Sequence, residues 1–218
     1  MKILELFSGT ESFSKVARER GHKTFTVDFD NQFNPNLCID ILKFDPSMLP
    51  KEFKKPNIIW ASPPCTTFSV ASICHYWEKG KPKNEKTLKG IEIVKKTIKI
   101  IEQLKPDFFI IENPRGMLRK QDFIKHLKRD TISYCQYGFN IMKPTDLWNN
   151  LNHNFKPICK PGASCHQRAG RGSKTGTQGI FYNPKWEKLR HRSPKIRAIV
   201  PYDLCKEIII YCENLKEK

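Results

Sequence analysis

The chain has 218 residues, of which 39% are hydrophobic and 28% are charged. This share of apolar residues is enough for a folded core and excludes a chain that is disordered throughout. Lysine and arginine together number 39, against 22 aspartate and glutamate residues, so the formal net charge is +17. A chain this basic favours a polyanionic partner, and a nucleic acid before a membrane surface.

The sequence also excludes membrane-spanning and secreted proteins. The sequence has no apolar run of the roughly 18 residues that a membrane-spanning helix needs. Its first residues, MKILELFSG, lack the length and the cleavage site of a signal peptide. The eight cysteines include no C-x-x-C pair and are spread through predicted strands and helices, which is unlike a disulfide framework. We therefore expect an intracellular protein with reduced thiols and no membrane partner.

Short apolar runs alternate with helical patterns along most of the chain. In chain order, the patterns predict a strand at Lys2–Phe7, a helix at Ser12–Arg20, strands at Thr24–Asp28 and Asn57–Ala61, a helix at Leu88–Leu104, a strand at Phe108–Ile111, a helix near Gln121–Arg129, a strand near Ile132–Tyr137 and a closing helix at Leu204–Cys212. This alternation predicts an α/β fold with a mostly parallel open sheet and helices on both faces. Ligands of such sheets bind at the carboxyl ends of the strands.

Residues 150–197 differ from the rest of the chain in composition. They include five glycines and four prolines, and they show little apolar periodicity. Eleven are lysine or arginine and one, Glu187, is acidic, so this segment carries more than half of the excess positive charge. The segment is either a nucleic-acid-binding element or a basic loop without a specific partner.

Polar residues follow the first two predicted strands. The first strand runs into Phe7-Ser8-Gly9-Thr10-Glu11-Ser12, where Gly9 allows a tight turn and the next helix offers backbone N–H groups to a ligand. A single glycine at this place is more typical of an ordinary turn than of a cofactor loop. Asp28 ends the second strand, where a carboxylate either binds both hydroxyls of a ribose or caps a helix.

The next two strand ends carry reactive groups. Pro63-Pro64-Cys65 follows the third strand, and the two prolines fix the backbone just before the thiol. A cysteine held at a sheet edge is a candidate nucleophile, and a buried structural cysteine is the alternative. Glu112 follows Ile110 and Ile111 at the neighbouring strand end, either as a proton or hydrogen-bond donor or as a surface carboxylate.

In this order, these residues resemble the DNA cytosine-5 methyltransferases. The matching segments are Phe7-Ser8-Gly9 for the first cofactor motif, Asp28 for the ribose-binding acid, Asp40-Ile41 for the adenine side, Pro63-Pro64-Cys65 for the nucleophile, Glu112-Asn113-Pro114 for the glutamate motif and Arg197-Ala198-Ile199-Val200-Pro201 for the last motif. The resemblance covers about residues 1–148 and 196–218. It is closest to the short, viral type of these enzymes, which implies the cytoplasm or the host compartment that holds nucleic acid.

The resemblance implies a Rossmann-like methyltransferase fold and a covalent mechanism. Cys65 would attack a cytosine flipped out of double-stranded DNA, Glu112 would contact its N3, and no metal would be needed. Residues 1–149 and 196–218 would form the catalytic domain of a monomer, and residues 150–195 a reduced target-recognition insert. S-adenosylmethionine would be bound by Phe7, Ser8, Gly9, Thr10, Ser12, Asp28, Phe29, Asp40, Ile41 and Pro63. DNA would be contacted by Lys143, Arg168, Arg171, Lys174 and Gln178.

Two departures from the family keep other functions open. Glu11 and Ser12 stand where the family usually has glycines, and the usual Gln-x-Arg-x-Arg motif is represented at best by residues 142–146. The alternatives are an RNA cytosine-5 methyltransferase, which would use the same Cys and Glu, and a non-catalytic nucleic-acid-binding protein on the same fold.

A small zinc site is a further possibility within the basic segment. Its ligands would be His153, Cys159, Cys165 and His166. Their spacing matches no standard zinc finger. The sequence therefore favours surface histidines and reduced cysteines over a metal site here.

Overall fold

The computed structural model describes residues 1–139, 141–166 and 198–217. Its strands are β1 Lys2–Leu6, β2 Lys23–Asp28, β3 Leu37–Cys38, β4 Ile58–Ala61, β5 Trp77–Glu78, β6 Lys81–Pro82, β7 Phe108–Pro114, β8 Arg129–Ser133 and β9 Pro144–Asn149. Its α-helices are α1 Ser12–Glu19, α2 Ile73–Tyr76, α3 Glu85–Leu104 and α4 Tyr202–Lys216.

A seven-stranded sheet organises the described part of the chain, in the order β3-β2-β1-β4-β7-β9-β8. Strands β3, β2, β1, β4 and β7 are parallel, whereas β9 runs antiparallel between β7 and β8. The chain moves outward from β1 to β3 and then crosses to the other side of β1 at β4. This reversal opens a crevice at the carboxyl ends of β1 and β4, which is where open α/β sheets bind ligands.

Helices cover both faces of the sheet. On one face, α1 and α4 pack against β1, β4 and β7, with the Phe13 and Trp60 rings stacked at 4.7 Å. On the other face, α3 contributes Val94, Ile98 and Ile101 to a second core. The predicted fold class, an α/β Rossmann-like methyltransferase sheet with helices on both faces, is confirmed. None of the helices among the described residues is long and apolar enough to cross a membrane.

Glu5 anchors the start of α1 from within the sheet. Its carboxylate accepts hydrogen bonds from the backbone N–H groups of Phe13, at 3.3 Å, and Ser14, at 2.8 Å. Burial raises the pKa of Glu5 to about 7, against the opposing effect of the hydrogen bonds from Ser14 and Phe13. The first turn of α1 is therefore fixed directly behind the loop that follows β1.

The helix predicted near Gln121–Arg129 is wrong. The chain instead forms a 3-10 turn at Asp122–Ile124 and enters β8 at Arg129. Phe123, Ile124 and Leu127 contact the core from this short turn, and Ile124 is the only fully buried residue among the described residues of the stretch. In a helix, Lys125, Lys128 and Arg129 would place like charges one helical turn apart.

The predicted strand near Ile132–Tyr137 is half right, and β9 is an element that the pattern does not reveal. The chain leaves β8 at Ser133 and forms a 3-10 turn over Tyr134–Tyr137. Every residue of β9 is buried, including Asp146, whose carboxylate is held by the Arg119 guanidinium and by the Thr131 hydroxyl. This buried ion pair depends on tertiary contacts that no local pattern records.

Candidate active site

A cavity of about 210 Å³ lies at the carboxyl ends of β1 and β2. Five of the predicted cofactor residues line it, together with apolar side chains and one lysine from α3. The lining residues are Phe7, Val27, Asp28, Phe29, Ile39, Asp40, Ile41, Pro64, Lys89 and Ile93. Pro64 lines the wall in place of the predicted Pro63, while Ser8, Gly9, Thr10 and Ser12 lie in the adjoining turn.

Asp28 and Phe29 present contrasting groups to this cavity. The Asp28 carboxylate is buried and fixed, since it accepts hydrogen bonds from the backbone N–H of Gly9 at 2.8 Å and of Asp30 at 2.9 Å. The neighbouring Phe29 ring is 70% exposed, which is unusual for an aromatic side chain. A fixed carboxylate beside an exposed aromatic face suits a ligand with hydroxyl groups on one part and a planar ring on another.

Asp40 also lines the cavity. One of its carboxylate oxygens accepts a hydrogen bond from the Leu42 backbone N–H at 3.0 Å, and the other lies 3.7 Å from Lys89 Nζ. Ile41 follows it and is buried. The pair therefore offers a polar acceptor and an apolar surface side by side.

The turn after β1 has an unusual backbone. Phe7, Gly9 and Glu11 all adopt left-handed conformations, with φ angles of 59°, 44° and 55°. A non-glycine residue there costs about 1–2 kcal/mol, and Glu11 offsets part of this cost through its ion pair with Arg18. The backbone shape that glycine usually provides is thus present although the residue is glutamate.

Two serines of this turn have different surroundings. Ser12 Oγ accepts a hydrogen bond from the Val200 backbone N–H at 3.2 Å, so the last motif does return to the turn after β1. Ser8 is buried, and its hydroxyl has no hydrogen-bond partner among the residues that the structure describes. A buried hydroxyl without a partner is uncommon, and it makes Ser8 a candidate hydrogen-bonding group of this turn.

Cys65 lies in the loop that follows β4. The side chain is half-buried, and the Cys65 carbonyl accepts hydrogen bonds from the backbone N–H of Phe68 at 3.0 Å and of Ser69 at 2.9 Å. The Trp77 indole N–H donates a hydrogen bond to the Thr67 carbonyl at 2.6 Å, which holds the loop two residues after Cys65. The thiol is therefore carried on a backbone held by its own hydrogen bonds.

Gly116 brings the segment after β7 against the Cys65 loop. A Cβ atom at this position would lie 2.0 Å from the Phe68 carbonyl oxygen, so only glycine fits. The next residue, Met117, donates its backbone N–H to the same oxygen at 2.7 Å. The loops after β4 and β7 are thus packed into one unit.

Glu112 and Asn113 complete this unit from β7. Asn113 donates its side-chain N–H to the Pro63 carbonyl at 2.9 Å, which ties the glutamate segment to the residues just before Cys65. Strands β4 and β7 are paired in register, Ala61 opposite Ile111, so both chains emerge at the same edge. The structure therefore brings the predicted nucleophile and the predicted glutamate to adjacent strand ends.

Tyr134 is a partner of Glu112 that the sequence did not reveal. The carboxyl group of Glu112 is buried, and its Oε1 atom accepts a hydrogen bond from the Tyr134 hydroxyl at 2.7 Å. Burial, the Glu112 charge and this hydrogen bond keep the pKa of Tyr134 well above its usual range. Tyr134 therefore stays protonated and orients Glu112 as a hydrogen-bond donor.

Lys143 also lies at this edge. It immediately precedes β9, which runs antiparallel to β7, so the start of β9 lies beside the end of β7. Its ammonium nitrogen is 4.4 Å from the centre of the Tyr134 ring, a cation–π contact. Lys143 is the one predicted DNA-binding residue within the described chain; Arg168, Arg171, Lys174 and Gln178 lie outside it.

The four residues weighed as zinc ligands do not all come together. His153 is separate, with Nε2 lying 2.9 Å from a Glu207 carboxylate oxygen. Cys159, Cys165 and His166 do meet, and the fourth member of their cluster is Cys135. Cys135 belongs to the turn after β8 and lies far from the others in sequence.

The solved structures that resemble this chain include two from eukaryotes. A DNMT2 mutant from Spodoptera frugiperda shares 19% identity with a TM-score of 0.45, over 77% of this chain and 57% of that one. The Dnmt2 methyltransferase from S. pombe shares 16% identity with a TM-score of 0.43, over 72% and 51% of the two chains. This chain spans little more than half the length of each.

Sequence comparison gives two matches that extend over most of the chain. Residues 1–142 match the family described as C-5 cytosine-specific DNA methylase. The "Probable DNA (cytosine-5)-methyltransferase" of Frog virus 3 (isolate Goorha) is 30% identical over 94% of this chain and 100% of its own length. The chain therefore belongs to the C-5 cytosine-specific DNA methylase family.

Proposed function

We propose that this DNA cytosine-5 methyltransferase acts on a cytosine flipped out of double-stranded DNA, through a covalent adduct between Cys65 and the base. The observation that carries the proposal is the packing of the Cys65 loop against the end of β7, which carries Glu112. The Asn113 side chain donates to the Pro63 carbonyl, and Gly116 packs against the Phe68 carbonyl, so the two segments meet at one edge of the sheet. A nucleophile and a hydrogen-bonding carboxyl group are the two groups that this chemistry requires.

The cavity beside this edge fits S-adenosylmethionine. Asp28 would bind the ribose hydroxyls, Phe29 and Ile41 would contact the adenine faces, and Asp40 would accept from the adenine amino group. The buried Ser8 hydroxyl, without a partner among the described residues, would meet the methionine part in the turn after β1. When bound there, S-adenosylmethionine supplies an electrophilic methyl group.

The chain's own residues prepare the cytosine. The base must leave the duplex, because its C5 and C6 atoms cannot be attacked within the stack. Cys65 Sγ then bonds to C6 while Glu112 hydrogen-bonds N3, and the electron pair of the C5–C6 bond moves to C5. After C5 has been methylated, a base takes the C5 proton, the C5–H electron pair restores the C5–C6 double bond, and Cys65 leaves C6 as a thiolate. Because Tyr134 occupies Glu112 Oε1, we assign Oε2 to the contact with N3.

The basic segment supplies the DNA contact in this proposal. Residues 1–149 and 196–218 form the catalytic domain of a monomer, and residues 150–195 form a reduced insert that lies on the duplex. Lysine and arginine side chains mostly contact phosphates, which fixes register without reading bases. Lys143 reaches the DNA from the catalytic edge. Arg168, Arg171, Lys174 and Gln178 belong to the insert, so we expect a short or loosely specified target.

Methyl transfer from tritiated S-adenosylmethionine tests the proposal as a whole. With duplex DNA as substrate, we expect labelled 5-methylcytosine after digestion to nucleosides, and little label in RNA of the same sequence. Label in RNA alone would support the RNA methyltransferase alternative. Cofactor binding without transfer to either substrate would support a non-catalytic nucleic-acid-binding protein.

Replacing Asp28 with alanine should weaken cofactor binding. The variant loses the hydrogen bonds of a charged acceptor, which are worth about 1.5–3 kcal/mol, and it also frees the Gly9 N–H in the turn. Calorimetric titration with S-adenosylmethionine measures the change. Asp122→Ala is the matched control, because that carboxylate is 94% exposed and does not line the cavity. Wild-type affinity in Asp28→Ala would place the ribose elsewhere.

Neutralising Arg168, Arg171 and Lys174 together should weaken DNA binding and its salt dependence. For each phosphate that the protein no longer neutralises, the slope of log affinity against log salt should become shallower by up to about 0.9. Fluorescence anisotropy with a duplex over a range of salt concentrations measures this slope. The control variant neutralises Lys51, Lys54 and Lys55, which are exposed just before β4 and thus lie at the opposite sheet edge. An unchanged slope in the first variant would place the DNA away from the insert.

A further inference from the structure

We propose that Cys135, Cys159, Cys165 and His166 form a structural zinc site. These four residues, the thiol cluster, each direct one ligand atom toward the others, and the four ligand atoms all lie within 4.8 Å of one another. The catalytic chemistry described above uses none of them. The site is therefore separate from the reacting groups and stands independently of the proposed function.

Three distances within the thiol cluster lie close to those around a tetrahedral zinc ion, and the Cys159–Cys165 distance is shorter. Zn–S bonds of about 2.3 Å and Zn–N bonds of about 2.0–2.1 Å place tetrahedral sulfur atoms roughly 3.8 Å apart, and sulfur and nitrogen roughly 3.6 Å apart. The observed S–S distances are 3.7 Å for Cys135–Cys165 and 3.2 Å for Cys159–Cys165. His166 Nδ1 lies 3.6 Å from Cys159 Sγ and 3.5 Å from Cys165 Sγ.

The surrounding contacts hold these ligands in place. The Cys159 backbone N–H donates to Ser133 Oγ at 2.9 Å. This hydrogen bond joins the chain segment of Cys159 to the end of β8, just before Cys135. The Gln136 side-chain amide lies 3.4 Å from Cys165 Sγ, where it can donate to a thiolate. Such hydrogen bonds to metal ligands orient them and tune the site.

The ligand chemistry of the cluster favours zinc over Mg²⁺ and Ca²⁺. Three thiolates and one imidazole are the ligands that Zn²⁺ prefers, and Mg²⁺ and Ca²⁺ prefer oxygen. A site with three thiolates and Zn²⁺ has a net charge of −1. Lys156 lies nearby and donates to the Gln136 carbonyl at 3.1 Å, so positive charge is available to balance it. Since four protein ligands complete the tetrahedron, the ion would be structural.

The place of the cluster in the fold suggests what the ion does. Cys135 directly follows Tyr134, the partner of Glu112, at the carboxyl edge of the sheet. His166 is the last described residue before the basic segment continues at residue 167. A bound ion would therefore connect the chain at Cys159, Cys165 and His166 to the turn that carries Tyr134, next to Glu112. This consequence for DNA binding rests on the proposed function, whereas the metal site itself does not.

Metal analysis of the full chain tests the site. Wild-type protein purified with a reductant should contain one zinc per chain by mass spectrometry of the elements, and Cys159→Ser/Cys165→Ser should contain none. Cys74→Ser is the control and should keep its zinc, because Cys74 is exposed and outside the cluster. Zinc retained in the double variant would overturn the proposal.

Protein produced in cobalt-supplemented medium gives a second readout that does not depend on activity. Wild type and Cys74→Ser should show the intense visible bands of tetrahedral Co²⁺ and thiolate-to-cobalt charge transfer, and the double variant should lack both. Chains that hold neither zinc nor cobalt would overturn the proposal. So would a Cys159–Cys165 disulfide found by mass spectrometry that persists when reductant and zinc are supplied together.

Discussion

Cys65→Ala should lose methyl transfer while keeping its affinity for S-adenosylmethionine. In the proposed mechanism, removal of the thiol leaves C6 without its nucleophile, so C5 keeps the low nucleophilicity of free cytosine. The cavity wall is formed by other residues, and the Cys65 loop is held by backbone hydrogen bonds that alanine preserves. Tritium incorporation into duplex DNA measures the loss, and calorimetry measures cofactor binding.

Cys74→Ala is the control for this experiment. Its thiol is exposed and lies on α2, a short distance along the chain from the same loop. Wild-type transfer in this control would show that thiol loss as such is harmless. Turnover of more than a few per cent in Cys65→Ala would contradict the covalent mechanism.

Glu112→Gln should slow methyl transfer by roughly two to four orders of magnitude, the range found for general acid–base groups. Glutamine keeps the shape of the side chain, and its carbonyl oxygen can still accept the Tyr134 hydrogen bond. It cannot exchange a proton with N3 as a carboxyl group does. Single-turnover rates on duplex DNA measure this effect without a contribution from product release.

Tyr134→Phe tests how far the orientation of Glu112, as distinct from its carboxyl group, contributes to the rate. This variant keeps the buried ring and removes the hydroxyl that bonds Glu112 Oε1. Its rate should lie between those of the wild type and Glu112→Gln, with unchanged cofactor affinity. A wild-type rate for Glu112→Gln would leave Glu112 with a structural role only, as a buried partner of Tyr134.

The site was predictable from sequence where each group follows directly from a strand. Apolar runs predict β1, β4 and β7, and parallel strands bring their carboxyl ends to one edge. The residues at the carboxyl ends of β1, β4 and β7 therefore had to meet, including Cys65 in the loop after β4 and Glu112 in the last part of β7. Asp28 and Phe29 lie at the end of β2, next to β1, as the pattern predicts. Asp40 and Ile41 follow β3, a short strand that the pattern did not predict, and only the family resemblance pointed to them.

The groups that were missed depend on contacts between distant parts of the chain. Tyr134 reaches Glu112 because β8 runs in the same direction as β7, with β9 between them. The sequence offers no periodicity for β9, because its six residues are all buried and include Asp146, which is neutralised by Arg119. Cys135 joins Cys165 across 30 residues, so ligand spacing alone could not identify the thiol cluster.

Capture of the covalent adduct tests the central claim most directly. A duplex with 5-fluorocytosine at the target should trap the chain in the presence of S-adenosylmethionine, because fluorine cannot leave C5 as a proton does. We predict a stable complex whose digested peptide carries the modified cytosine on Cys65, and no complex with Cys65→Ala. A complex that forms equally with Cys65→Ala, or methylation of ordinary duplex DNA without any trapped adduct on the fluorinated duplex, would contradict the account.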